Sequence, residues 1–112
     1  MSKFAECMEH YKAQNSELGL GLSEALLTGV AKGLGPSIYN PDSSLVSGSD
    51  KAELDRVKNN FLIKKLGLAD GPALDSAIAE VMEKMGTSNR TKYRAVVYAL
   101  LAVKFGKEGM FS

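Results

Sequence analysis

Apolar positions recur along this chain at intervals of three and four, the spacing of one helix face. Phe4, Met8 and Tyr11 mark a first helix, followed by a polar break at AQNSELG. Leu22, Leu26 and Val30 mark a second, short one. Ser23 is its candidate N-cap, and Gly33, Gly35 and Pro36 stop it. A third opens at Asp50, buries Leu54, Val57 and Phe61, and ends at Gly67. Asp50 and Glu53 have the spacing of a capping box, in which each side chain satisfies the other's free backbone N–H. The fourth has the cleanest pattern. Pro72 suits its first turn, Leu74, Ile78, Val81, Met82 and Met85 share a face, and Gly86 closes it. The fifth runs from near Ser88 to about Phe105, with Gly106 as its stop.

These elements predict an all-α, compact bundle of about five helices. No strand-like alternation of useful length interrupts them, although SSLVSG has the composition of a short extended piece. From Ala95 to Val103 the fifth helix carries no charge, so it is apolar around its whole circumference. Such a helix belongs at the centre. The expected core includes Leu54, Phe61, Ile78, Val81, Val97, Leu100 and Leu101. Residues 35–49 form a long irregular loop, unusual in a compact domain. It carries Ile38, Tyr39, Leu45 and Val46, so it is expected to wrap the surface with these side chains tucked in.

Length and charge narrow the picture. A chain of 112 residues is read as a single domain, 1–112. A net charge of +1 gives no global field for nucleic acid or an anionic membrane. The charge is uneven, however. Residues 1–56 hold five basic and eight acidic residues, net −3, and residues 57–112 hold nine and five, net +4. The two halves are expected to neutralise each other inside the fold, with self-association as the other outlet. Cys7 is the single cysteine, which excludes an internal disulfide. The first ten residues lack a signal-peptide core, and the longest uncharged apolar run is about half the ~20 residues of a membrane span. The expected compartment is the bacterial cytoplasm.

Few residues offer chemistry. Cys7 and His10 share a helix face, which suits a thiolate–imidazole pair, but the preferred reading packs Cys7 against the core and leaves His10 in solvent. One cysteine and one histidine do not complete a zinc site. Asp42, Asp50, Glu53 and Asp55 cluster in sequence without an evident acid–base pairing. No glycine-rich phosphate loop is present. No catalytic residue, metal or cofactor is assigned.

The conspicuous stretch is MGTSNRTKYRAVVYALLAVKFGK, where Arg90, Lys92 and Arg94 fall in the first two turns of the fifth helix. Helix starts favour negative charge, so three cations there need an explanation. The leading expectation is that carboxylates of the acidic half hold Arg90 and Arg94, while Lys92 points to solvent. The alternative is an anion site built from Ser88, Arg90, Tyr93 and Arg94.

The same stretch superficially resembles the end of the helix-turn-helix domain of quorum-sensing-type transcription regulators. The helix that would then read DNA, Pro72 to Met85, carries Asp75, Glu80 and Glu83 against Lys84 alone, so nucleic acid is not expected as a partner. A wider resemblance rests on DSSLVSGSDKAELDRVKNNFLIKKLGL, LDSAIAEVMEKM and YRAVVYALLAVKFGK. These segments resemble a small bacterial family catalogued as domain of unknown function 2853. The chain departs from the family pattern at Gly48, where that pattern has cysteine, so no thiol function is carried over to the loop. The resemblance implies a compact helical domain in the bacterial cytoplasm and brings no activity, substrate or cofactor. The functional expectation is a non-enzymatic interaction or structural module, with a homodimer as one form of it. The alternative is a small anion- or nucleic-acid-binding protein that uses the basic start of the last helix.

Overall fold

Five helices surround one hydrophobic cluster in the computed structural model, which describes residues 3–40, 43–48, 50–86, 89 and 91–111. They are α1 (Lys3–Leu18), α2 (Glu24–Leu34), α3 (Lys51–Arg56), α4 (Pro72–Met85) and α5 (Arg94–Lys104). The fold is all-α, and the extended pairing among the described residues is a single antiparallel bridge between Leu45 and Tyr93. As the apolar run demands, α5 is central. Every residue from Ala95 to Leu101, and Ala102 after it, is buried, and α1, α2 and α4 all pack on it.

Several local signals act as expected. Ser23 caps α2 by accepting from the Leu26 N–H at 3.1 Å. Pro72 sits in the first turn of α4. Gly67 takes φ +73°, a left-handed conformation that glycine adopts without a Cβ penalty, and turns the chain after α3. The polar break after Tyr11, in contrast, is not a break. α1 continues through it to Leu18, because Gln14 is buried and Asn15 works on the next turn. The Asn15 amide donates to the Leu22 carbonyl at 2.8 Å, and its oxygen accepts from the Leu22 N–H at 2.9 Å. These two bonds fasten the α1–α2 connection.

The third helix also differs from its expected form. Asp50 caps it through the Ala52 N–H at 3.0 Å. Glu53 does not complete a capping box; its carboxylate serves elsewhere. After Arg56 the helix widens to a π-helical run, Val57–Ile63, and the wide register persists in bonds from Lys64 N–H to Asn59 carbonyl and from Leu66 N–H to Phe61 carbonyl. The shift in register buries Glu53, Val57 and Phe61, while Leu54 is only half-buried. The other expected core residues are buried.

The long loop contains a 3₁₀ turn, Gly35–Tyr39, that buries Ile38. Val46 turns inward as expected, whereas Leu45 is only half-buried and Tyr39 stays 42% exposed. At the other end of the chain, the backbone of Phe111 lies directly on α2. A Cβ at Gly29 would collide with the Phe111 carbonyl oxygen, so only glycine permits this approach. None of the described helices is long and apolar enough to cross a membrane.

Candidate functional site

The start of α5 is where the loop, α1 and α3 converge. Helix α5 begins at Arg94 and not near Ser88, and the reason is tertiary. Residues 44–46 run antiparallel to residues 92–94, with Val46 N–H on the Lys92 carbonyl and Arg94 N–H on the Ser44 carbonyl, both at 2.8 Å. The Ser44 carbonyl thus satisfies a free N–H at the helix start, the task that a local side-chain cap would otherwise perform. Tyr93, the residue before the helix, is extended and its side chain makes no cap bond.

Arg94 is the hub of this junction. Its Nε donates to the Ser43 carbonyl at 2.6 Å, and its Nη1 to the Tyr98 hydroxyl at 3.0 Å. Its Nη2 donates to the Leu45 carbonyl at 3.3 Å and to Glu53 Oε1. The second Glu53 oxygen accepts from Arg56, with Nη2 at 2.7 Å and Nε at 3.1 Å. The Glu53 and Arg94 side chains are only 9% and 13% exposed. An isolated cation at a helix start costs about 0.3–1 kcal/mol when exposed, and more when buried. A buried carboxylate from the acidic half removes that cost, and the same guanidinium ties down two loop carbonyls.

Lys92 corrects the sequence reading. It is 3% exposed, and its ammonium donates to the Asn89 carbonyl. The expectation of a solvent-facing Lys92 assumed a helical residue a half-turn from Arg94. In the extended segment before α5 its side chain instead turns inward beside Met82. Gly48 leaves the room: a Cβ there would lie 3.2 Å from Met82 Sδ and 3.3 Å from Lys92 Nζ.

Tyr93 faces the other way. Its ring stacks on His10, with centroids 5.9 Å apart, and meets Tyr11 edge-on at 5.4 Å. Gln14 joins it to α1, donating to the Thr91 carbonyl at 2.5 Å and accepting from the Tyr93 N–H at 3.4 Å. A cavity of about 230 Å³ opens here, walled in part by His10, Glu17, Asn89 and Tyr93. Of the four residues of the anion-site alternative, Ser88 and Arg90 lie outside the described residues, as does Asp42 of the carboxylate cluster. The two that are described, Tyr93 and Arg94, turn to different neighbours, and the Arg94 donors serve protein acceptors.

Burial, with Cys7 beside it, holds the Tyr11 phenol well above the ordinary tyrosine value. A phenol whose pKa folding raises contributes stability that is complete below about pH 10 and declines as pH climbs beyond it. Thermal unfolding followed above about pH 10 should therefore show a falling midpoint, with a shallower fall in Tyr11→Phe. Equal slopes for the two proteins would contradict this assignment.

Cys7 and His10 do not share a partner. The Cys7 thiol points to the Ile38 carbonyl at 3.8 Å, whereas His10 is exposed against Tyr93. Among the described residues no three His, Cys, Asp or Glu side chains converge in a metal-binding group.

A family model described as a protein of unknown function, DUF2853, matches residues 6–109. The chain belongs to the DUF2853 family. The matched span runs from α1 past α5, so this DUF2853 protein carries the whole Glu53–Arg94 junction inside the region that defines the family. No curated protein matches the chain.

Sequence reasoning missed Gln14 and Asn15 as structural polar residues, and it gave Glu53 a capping role in place of its ion pairs. For Glu53 a signal existed. It stands four residues before Val57 and eight before Phe61, in line with the buried stripe. Arg56, three residues on, is a second pointer to an ion pair there.

Proposed function

We propose that this protein is a small, non-enzymatic interaction module of the bacterial cytoplasm that works as a pair of identical copies. The observation that carries this reading is a groove of about 270 Å³ between α4 and α5. Its floor is apolar, with Leu22, Val81 and Leu100, and Val103 stands at its edge 45% exposed. Its rim carries both signs of charge, with Glu80 paired to Lys104 and Lys84 nearby. A twofold contact must complement itself, and such a patch does. The projecting Val103 of each copy fits the partner's groove, and Lys104 exchanges Glu80 of its own chain for that of the other. A stable pair needs more than about 1,000 Å² of total buried surface, about half of it from each copy, a modest share of the 6120 Å² accessible on one chain. The lone, half-buried cysteine suits a reducing compartment. An anion- or nucleic-acid-binding role at the start of α5 draws no support from Arg94, whose donors already serve Glu53, Tyr98 and the loop.

Light scattering across a concentration series tests the proposal. The wild type should move from one to two copies, and Val103→Glu should remain single with its helical content intact. A wild type that stays monomeric at high concentration, or a Val103→Glu protein that pairs as well, would overturn it.

A further inference from the structure

A second cavity, of about 200 Å³, lies between α2, the π-helical run and α5. Its walls are mostly apolar and aromatic. Val30 and Leu34 come from α2, Phe61 from the π-helical run, Tyr98 from α5, and Phe111 from the chain after α5. The three rings form a stack. Phe61 lies on Tyr98 with centroids 4.0 Å apart and planes at 19°, and Phe111 lies 6.0 Å from Phe61 at 23°. Each ring is held from behind. The Tyr98 hydroxyl oxygen accepts from Arg94, which Glu53 fixes in turn. Phe111 is pinned where its backbone meets Gly29. Phe61 sits in a wide helical turn, a geometry that recurs at functional sites. Lys65 closes one side, with its ammonium 5.9 Å over the Phe111 ring, and Asn60 adds an amide to the lining. Among the described residues no carboxylate pairs with Lys65.

We propose that this cavity binds a small aromatic carboxylate. An apolar cavity of about 150 Å³ is already enough to hold a benzene ring, so the space suits one ring with a short polar substituent. The ring lies against the aromatic walls in offset or edge-on contact, where aromatic pairs gain most. The carboxylate reaches Lys65 and the Asn60 amide, which places a charge-assisted hydrogen bond at the mouth and leaves the interior apolar. The site shares no lining residue with the groove between α4 and α5 and does not depend on pairing.

Gly33 supplies a clean test. It lines the cavity within α2, and a Cβ added there meets nothing within 4 Å. Gly33→Leu therefore adds bulk to the cavity lining without a backbone clash. Saturation-transfer NMR is run with benzoate and with benzyl alcohol on the wild type, Gly33→Leu and Lys65→Met, all checked for equal helical content. Benzoate should bind the wild type, lose binding in Gly33→Leu, and bind about tenfold more weakly in Lys65→Met, as expected when one hydrogen bond to a charge is removed. Benzyl alcohol should bind the wild type about tenfold more weakly than benzoate for the same reason. As a measurement that needs no variant, benzoate should shift the amide signals of Gly33 and Phe61 in the wild type. Absence of benzoate binding, undiminished binding by Gly33→Leu or Lys65→Met, or shifts confined to other helices would overturn the proposal.

Discussion

Arg94→Ala should lower the unfolding free energy by about 3–5 kcal/mol, the usual result of removing one partner from a buried ion pair. The loss has three sources. Glu53, buried in α3, keeps among the described residues only Arg56 as a partner, and the Arg56 side chain is 58% exposed. The Ser43 and Leu45 carbonyls lose their donors. The Tyr98 hydroxyl loses its donor as well. Urea unfolding of the wild type, Arg94→Ala, Glu53→Ala and the double variant would measure the coupling. The double variant should be much less destabilised than the sum of the two single ones, because the second substitution removes a charge that the first had stranded. Added phosphate should leave the wild-type midpoint unchanged, since a ligand stabilises only a state that binds it. A loss below about 1 kcal/mol for Arg94→Ala would mean a solvated, surface-like pair and would sink this account of the junction. Phosphate stabilisation that vanishes in Arg94→Ala would revive the anion site.

Leu101→Ala should cost about 2–5 kcal/mol. Leu101 is fully buried at the middle of the central helix, with α1, α2 and α4 packed around it. No side chain from solvent can close the space that alanine would leave, so both the lost burial and the cavity count. Val103, two residues on, is the internal control. It is 45% exposed in the single chain, and at concentrations too low for pairing Val103→Ala should stay within about 0.5 kcal/mol of the wild type. Chemical unfolding of both variants decides the matter. Similar small losses would mean that α5 is not the packed axis of the bundle.

The candidate site was partly legible. Three cations at a supposed helix start demanded carboxylates, and the charge imbalance between the halves said where to find them. Arg94 meets that expectation through Glu53. The identity of the carboxylate was marked only by its place in line with Val57 and Phe61, which does not decide it, because capping and ion pairing compete for the same side chain. The π-helical register of Val57–Ile63 favours the second by turning Glu53 onto the buried side with Val57 and Phe61. Lys92 was misplaced for a related reason. Its direction depends on whether the chain is helical at that point, and the start of α5 is set by Ser44, a residue 50 positions before Arg94.

By itself the sequence determined the elements whose signals act within one or two turns. Ser23, Pro72, Gly67 and Gly86 mark ends through caps and allowed backbone angles, and those effects need no distant partner. The uncharged circumference of α5 likewise determined that it lies at the centre, since no other place keeps that surface from water. The tertiary structure alone decided where α5 begins, why α1 continues past its polar residues, and which carboxylate meets Arg94. In each case a backbone or side-chain polar group has a local solution and a distant one of similar energy. Packing brings Gln14 within reach of Thr91, Ser44 of Arg94, and Glu53 of the same guanidinium, and burial then makes the distant bond the cheaper one to keep.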